Sequence, residues 1–180
     1  IISKEYRLVN LKNIKKYTPG FNIHDIQKKY NLKEVIKLAS NENPFISKDV
    51  LSFIKKSNHK LNLYPDSNPD ELHKSLANTV GHRMTSNNII LGNGSNEILE
   101  FIVRANVDNK SEVIIPKYSF LVYEIISKLQ NAKIIITKPD NDKASENYLG
   151  INLESIKEKI TNKTKLIFIA NPANPTGTYI

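Results

Sequence analysis

Leu166-Ile167-Phe168-Ile169-Ala170 runs directly into Asn171-Pro172-Ala173-Asn174-Pro175-Thr176-Gly177-Thr178. The apolar run, with Lys165 before it, reads as a buried strand. It empties into a turn holding two prolines, two asparagines and a glycine. Proline fixes φ and holds its neighbours in place, while Gly177 permits a backbone geometry that side-chain residues resist. Such a turn aims side-chain amides out from a sheet edge, where open α/β sheets place ligands. A rigid strand-exit loop with a purely structural purpose is the alternative reading.

Working back from this strand, apolar runs alternate with amphipathic stretches. Ile36 to Ala39 is a short strand candidate. Ser47 to Lys56 is a helix with Val50, Leu51 and Ile54 on one face. Asn68-Pro69-Asp70-Glu71 opens a second helix, with Asn68 as N-cap, Pro69 at the first helical position and Glu71 at the third; Gly81 ends it. Asn88 to Leu91 reads as a buried strand, Ser95 to Ala105 as a helix, Glu112 to Ile115 as a strand and Ser119 to Leu129 as a helix. Ala132 to Thr137 is a strand, Asp140 to Tyr148 a polar loop, and Leu153 to Ile160 a short helix before the final strand. The alternation predicts an α/β three-layer sandwich with a largely parallel, mixed sheet.

Composition bounds the function classes. The 180 residues, 39% of them hydrophobic, suffice for one domain with a sizeable core, and the mean hydropathy of −0.39 fits a soluble chain. No apolar run approaches the ~20 residues needed to span a bilayer. The first residues lack both a signal-peptide core and an initiator Met, so the start reads as trimmed or the sequence as partial. The absence of cysteine excludes disulfides and thiolate metal sites and favours the cytoplasm. His24, His59, His73 and His82 never fall at metal-ligand spacing, so no metal is expected. The net charge of +8 invites a nucleic-acid reading, but only Arg7, Arg83 and Arg104 are arginines; 23 of the 26 basic residues are lysines interleaved with acids. That is a diffuse basic surface suited to small anions, not a recognition stripe.

Leu91-Gly92-Asn93-Gly94-Ser95-Asn96-Glu97 sends a strand into a Gly-rich turn and out through a helix. Several backbone N–H groups then converge at a helix N-terminus, an anion seat to which the dipole adds ~0.3–1 kcal/mol. The Ser95 hydroxyl adds a donor. Glu97 stands where a Rossmann fingerprint needs its third glycine, and the Gly-Lys-Ser/Thr of a P-loop is missing. A plain tight turn with a helix cap is the alternative.

These segments occur with Leu38-Ala39-Ser40-Asn41-Glu42-Asn43-Pro44 and Tyr64-Pro65-Asp66, and in that order and spacing the chain resembles the fold-type I pyridoxal-phosphate enzymes, class I/II, of the histidinol-phosphate aminotransferase type. The resemblance covers nearly the whole chain. It implies an N-terminal arm with part of a small domain at 1–35, and the N-terminal portion of the cofactor-binding large domain at 36–180, truncated before its end. It further implies pyridoxal 5′-phosphate as cofactor, its phosphate on the backbone of Gly94, Ser95 and Asn96. By the same resemblance Phe120 would stack on the ring, although Tyr118 sits close enough to compete, and Asn174 would donate to the ring's 3′-oxygen. Tyr64 would reach the neighbour's cofactor phosphate across a homodimer, and Tyr17, Asn41 and Asn43 would line the substrate site. Ordinary packing is the alternative for each aromatic. Two departures are visible: Asn96 stands where the family often has Asp, and Tyr118 where many members have Pro.

The implied reaction is a ping-pong amino transfer between small amino and keto acids, here histidinol phosphate and 2-oxoglutarate, giving imidazole-acetol phosphate and glutamate in histidine biosynthesis. The Schiff-base lysine, the acid at the pyridine nitrogen and the carboxylate-binding arginine lie downstream of Asn-Pro-Thr-Gly in this family. None is assigned in these residues, and the segment alone is expected to be inactive. Alternatives are an aromatic or other amino-acid aminotransferase, a threonine-phosphate decarboxylase, or a basic protein binding nucleic acid or a partner. No nucleic-acid or membrane partner is expected under the leading reading.

Overall fold

Glu-Val-Ile-Ile-Pro at 112–116 carries an unbroken apolar centre, the pattern of a strand covered on both faces. The computed structural model describes residues 14, 16, 20–57 and 62–180. In chain order its elements are α1 (Ile23–Tyr30), α2 (Lys48–Ser57), α3 (Asp70–Val80), a 3₁₀ turn (Ser86–Asn88), α4 (Gly94–Asn106), β1 (Glu112–Pro116), α5 (Leu121–Leu129), β2 (Lys133–Thr137), α6 (Leu153–Lys157) and β3 (Thr164–Ile167). They fall into two compact units that divide between Ile89 and Ile90.

In the unit from Ile90 to Ile180, β1 is buried throughout and sits at the centre of the sheet order β2-β1-β3. Both pairings are parallel. The β1–β2 register runs unbroken from Glu112–Lys133 to Pro116–Thr137, whereas the β1–β3 register shifts once between Glu112 and Val113. Successive strand side chains alternate between faces. Val113 and Ile115 therefore pack on one side with Val103 of α4, Val122 and Ile126 of α5, and Phe168. Ile114 packs on the other with Ile151 and with Ile156 of α6. Tyr123 lies flat on Phe168, their ring centroids 4.3 Å apart. The unit is a three-layer α/β sandwich built on a parallel sheet, as expected.

Glu112 begins β1 and is buried, yet both carboxylate oxygens are engaged: Lys133 Nζ donates to Oε1 at 2.8 Å and Thr161 Oγ1 to Oε2 at 2.7 Å. These bonds tie the starts of β1 and β2 to the turn before β3. The Lys133 bond first, then the Thr161 bond, hold the Glu112 carboxyl below its ordinary value of 4.5. A carboxyl depressed on folding stabilises the fold above its unfolded pKa, and that contribution disappears as pH falls through the folded value. Denaturation midpoints should therefore fall on acidification below about pH 4.5. Glu112→Gln should be less stable at pH 7 and should show a flatter acid limb. A parallel acid limb would rule out this linkage.

The unit from Thr18 to Ile89 is helical among its described residues. Asn22 caps α1 by accepting from the His24 N–H at 2.9 Å, and Asn31 ends it in the left-handed region at φ 52°. α2 forms where expected, but Val50, Leu51 and Ile54 are exposed. Gly81 closes α3 as expected, with its N–H on the Ala77 carbonyl at 3.0 Å.

Five local expectations are corrected. The final strand stops at Ile167 instead of Ala170, and the short helix at Lys157 instead of Ile160. Ile36 to Ala39 is not a strand, and Ile36 and Leu38 are 87% and 92% exposed. Asn88 to Leu91 is not a strand either: the 3₁₀ turn takes Asn88, and Ile90 is 71% exposed. Both have strand chemistry, but an extended segment becomes a strand only when a neighbour completes its ladder, and no described strand lies beside them. At α3 the helix begins one residue later than expected: Pro69, at ψ 73°, lies outside helical geometry, and its carbonyl takes the first intrahelical bond, from the His73 N–H at 3.0 Å. Asn68 Nδ2 donates to Asp70 Oδ1 at 2.9 Å, and no side chain caps the helix.

Candidate functional site

β1 leads through α5 to β2 on one side, and β2 returns through α6 to β3 on the other. The connections cover opposite faces, so the order of winding reverses at β1. Such a reversal leaves a crevice beyond the carboxyl ends of the two strands that flank it, here β1 and β3. A cleft lies there, lined by Pro116 at the end of β1 and Lys117 to Ser119 after it, by Asn174 and Thr176 after β3, and by Gly150.

α4 delivers a second feature to the same end of the sheet. Its C-terminus leads through residues 107–111 into the start of β1 while Val103 packs on the sheet, so the helix runs back against β1 and its N-terminus reaches the carboxyl end. Gly94 opens it at φ 76°, a geometry that favours glycine. The Gly94 N–H turns back to the Gly92 carbonyl at 3.0 Å, and the Asn93 N–H donates to Glu97 Oε2 at 2.6 Å. The N–H groups of Ser95 and Asn96 meet no acceptor among the described residues, and both residues are exposed. A first helical turn leaves such donors open by construction. Gly92 is exposed, but a Cβ there would lie 2.9 Å from Ile98 Cδ1 and 3.0 Å from Glu97 Oε2.

In the turn after β3 the two asparagines separate by environment. Asn171 works internally: its Nδ2 donates to the Ile180 carbonyl at 2.8 Å and its Oδ1 accepts from the Ile180 N–H at 3.2 Å. The Ala173 N–H reaches the Thr178 carbonyl and the Gly177 N–H reaches the Ala173 carbonyl, each at 2.7 Å, closing the turn. Both Asn-Pro bonds are cis, and Gly177 takes φ 71°. Asn174 is exposed at the cleft, and among the described residues no hydrogen bond engages its amide. The resemblance singles out Asn174, and of the two asparagines it is the one whose amide the turn leaves unengaged among the described residues.

The aromatic candidates also separate. Tyr118, at φ 62°, lines the cleft with Asn174, with Lys117 Nζ 5.4 Å from its ring centroid. Phe120 lines the adjoining cleft and packs against the core, edge-on to Tyr123 at 5.8 Å. Tyr64, Asn41 and Asn43 belong to the other unit. Tyr64 is wholly exposed, Asn41 sits at φ 50°, and Asn43 Oδ1 accepts from the Phe45 N–H at 3.0 Å. Tyr17 lies outside the described residues. Thr176 and Gly150 join the site without having been singled out, Gly150 because it closes a loop read only as polar surface.

The family model for aminotransferase class I and II matches residues 33–180. The chain belongs to that family. Among curated class I/II relatives, it is 38% identical over 174 residues to a histidinol-phosphate aminotransferase of Desulfotalea psychrophila, covering 95% of this chain and 43% of the relative. It is 39% identical over 178 residues to histidinol-phosphate aminotransferase 1 of Idiomarina loihiensis, covering 96% and 46%. The chain thus spans less than half the length of these relatives. Among solved structures, an Escherichia coli aminotransferase matches with a TM-score of 0.75 at 23% identity, over 94% of this chain and 44% of that one. MJ0684 of Methanococcus jannaschii matches with a TM-score of 0.72 at 25% identity, over 100% and 46%. The α/β sandwich is therefore part of the fold-type I aminotransferase architecture.

Proposed function

We propose that the full-length protein transfers amino groups with pyridoxal 5′-phosphate, converting histidinol phosphate and 2-oxoglutarate to imidazole-acetol phosphate and glutamate. One observation carries this reading: a helix N-terminus with two open backbone donors and a strand-exit asparagine with an unengaged amide both lie toward the carboxyl end of one parallel sheet. The family match supports the reaction class, and the names of the curated relatives support the substrate.

The residues fit the cofactor. Its phosphate is an anion of about two charges, and the Ser95 and Asn96 N–H groups offer donors at the positive end of α4. Glycine at position 92 lets the loop pass close to the Glu97 and Ile98 side chains of α4. Asn174 would donate to the ring's 3′-oxygen and fix its orientation. Phe120, with Tyr118 beside it, would cover one ring face. The bound cofactor supplies the electron sink that amino transfer needs. Tyr17, Asn41 and Asn43 would contact the substrate. The covalent lysine, the acid at the ring nitrogen and the carboxylate-binding arginine are assigned outside these 180 residues.

The working form under this reading is a cytoplasmic homodimer, with Tyr64 reaching the partner's cofactor phosphate. Its full exposure leaves the hydroxyl available for that contact. Tyr64→Phe should weaken cofactor retention in the dimer by about tenfold, the effect of one lost bond to a charged group. Unchanged retention in an equilibrium dialysis would remove that role. No helix among the described residues is long and apolar enough to cross a membrane.

The substrate assignment is tested by assaying the full-length protein with 2-oxoglutarate and a panel of donors. Histidinol phosphate should give the highest kcat/KM; a preference for an aromatic amino acid, or decarboxylation of threonine phosphate, would replace this assignment.

A further inference from the structure

We infer that the loop between β2 and α6 acts as a positioning support for Asn174, through a contact chain from Asn147 and Gly150 to Thr178 and Thr176. The inference rests on the proposed cofactor site.

The loop is held internally. Asp140 accepts from the Asp142 N–H at 2.9 Å and from Ser145 Oγ at 2.8 Å. The Asp140 N–H bonds the Gly150 carbonyl, and Pro139 bridges Ile151 in antiparallel fashion. Asn147 Nδ2 donates to the Ile151 carbonyl at 2.8 Å, and the Gly150 N–H to the Asn147 carbonyl at 2.7 Å. Ile151 is anchored in turn in the core beside Ile114 and Ile156. A surface loop thus has a rigid base.

Gly150 is where this base meets the turn that carries Asn174. It is buried, and a Cβ there would stand 1.9 Å from Asn147 Oδ1 and 2.5 Å from Thr178 Oγ1. Neither atom yields freely. Asn147 is tied through its other amide atom to Ile151, and Thr178 Oγ1 lies 2.8 Å from Thr176 Oγ1. The Thr178 carbonyl also accepts from the Ala173 N–H, one residue before Asn174. Gly150, Thr176 and Asn174 line one cleft, and the route from Gly150 to the asparagine runs through Thr178 and its bonds to Thr176 and to Ala173. The requirement at Gly150 is one of space, not of φ.

The test uses the full-length protein loaded with pyridoxal phosphate and two readouts: cofactor dissociation, and the pH midpoint of the bound cofactor's visible band. A donor at the ring oxygen favours its charged form, so displacing Asn174 raises that midpoint. Gly150→Ala should weaken retention by about tenfold and raise the midpoint, because small displacements of a positioned group are costly. Gly150→Ala combined with Thr178→Ala, which removes the hydroxyl on the turn side and leaves the Asn147 crowding within the loop, should recover part of both. Thr178→Val, which adds nothing at Gly150, should raise the midpoint by less. A Gly150→Ala protein that is merely less heat-stable, with retention and midpoint as in the wild type, overturns the inference. So does weaker retention with an unmoved midpoint. If Gly150→Ala does not fold, an unmoved midpoint in Thr178→Val overturns it alone. A wild-type protein with no visible band refutes the cofactor reading itself.

Discussion

Replacing Asn174 with alanine in the full-length protein should lower kcat/KM for amino transfer by about 10²-fold while leaving its melting temperature close to that of the wild type. The magnitude is that of removing one preorganised donor from a reacting charge system. The separation from stability follows from the structure. Asn174 is exposed, and its amide holds nothing among the described residues, so its loss leaves no buried group unsatisfied. Asn171 is the matched control. Its amide makes two bonds to Ile180, and Asn171→Ala should cost about 1 kcal/mol of stability, with a smaller effect on rate. Steady-state kinetics and thermal melts on the two variants check the contrast; equal kinetic effects would mean that the turn acts as one rigid piece and that Asn174 has no separate role.

Ile114→Ala should be the most destabilising single change in the described sheet, by about 3 kcal/mol. Ile114 is fully buried at the centre of the central strand, between Ile151 and Ile156, and its carbonyl accepts from the Phe168 N–H at 3.0 Å. Truncation removes the transfer energy of its methyl groups and opens a cavity that a parallel strand, held by ladders on both sides, closes poorly. Ile114→Val should cost about 1 kcal/mol. Ile136→Ala, on the edge strand and 48% exposed, should cost less than Ile114→Ala. Urea denaturation midpoints order the three variants. A cost at Ile136 equal to that at Ile114 would contradict the layer assignment.

The sheet and its flanking helices were legible because their chemistry is local. Val113-Ile114-Ile115 has no polar interruption, and α4 and α5 carry apolar residues at helical spacing. The helix start at Gly94 was legible because Gly92-Asn93-Gly94 dictates a tight turn into a helix. Failures came where the outcome depends on a neighbour. Ile36 to Ala39 and Asn88 to Leu91 have the residues of strands without a described ladder beside them. The α3 start turned on the backbone of Pro69, whose ψ of 73° keeps it outside the helix, and residue type alone does not fix that angle. At the site, the motif exposed Asn174 but hid its support. Gly150 matters through what stands 2.5 Å from an absent Cβ, and no local pattern encodes that.

The central claim is that Gly94 to Asn96 and Asn174 form two walls of one pyridoxal-phosphate site. It is tested most directly by adding pyridoxal phosphate to the full-length protein, recording the visible absorbance, and repeating with Asn174→Ala. The account predicts a band in the wild type that borohydride abolishes, and in the variant a band whose pH midpoint is raised. No band in the wild type, or an identical midpoint in the variant, would contradict it.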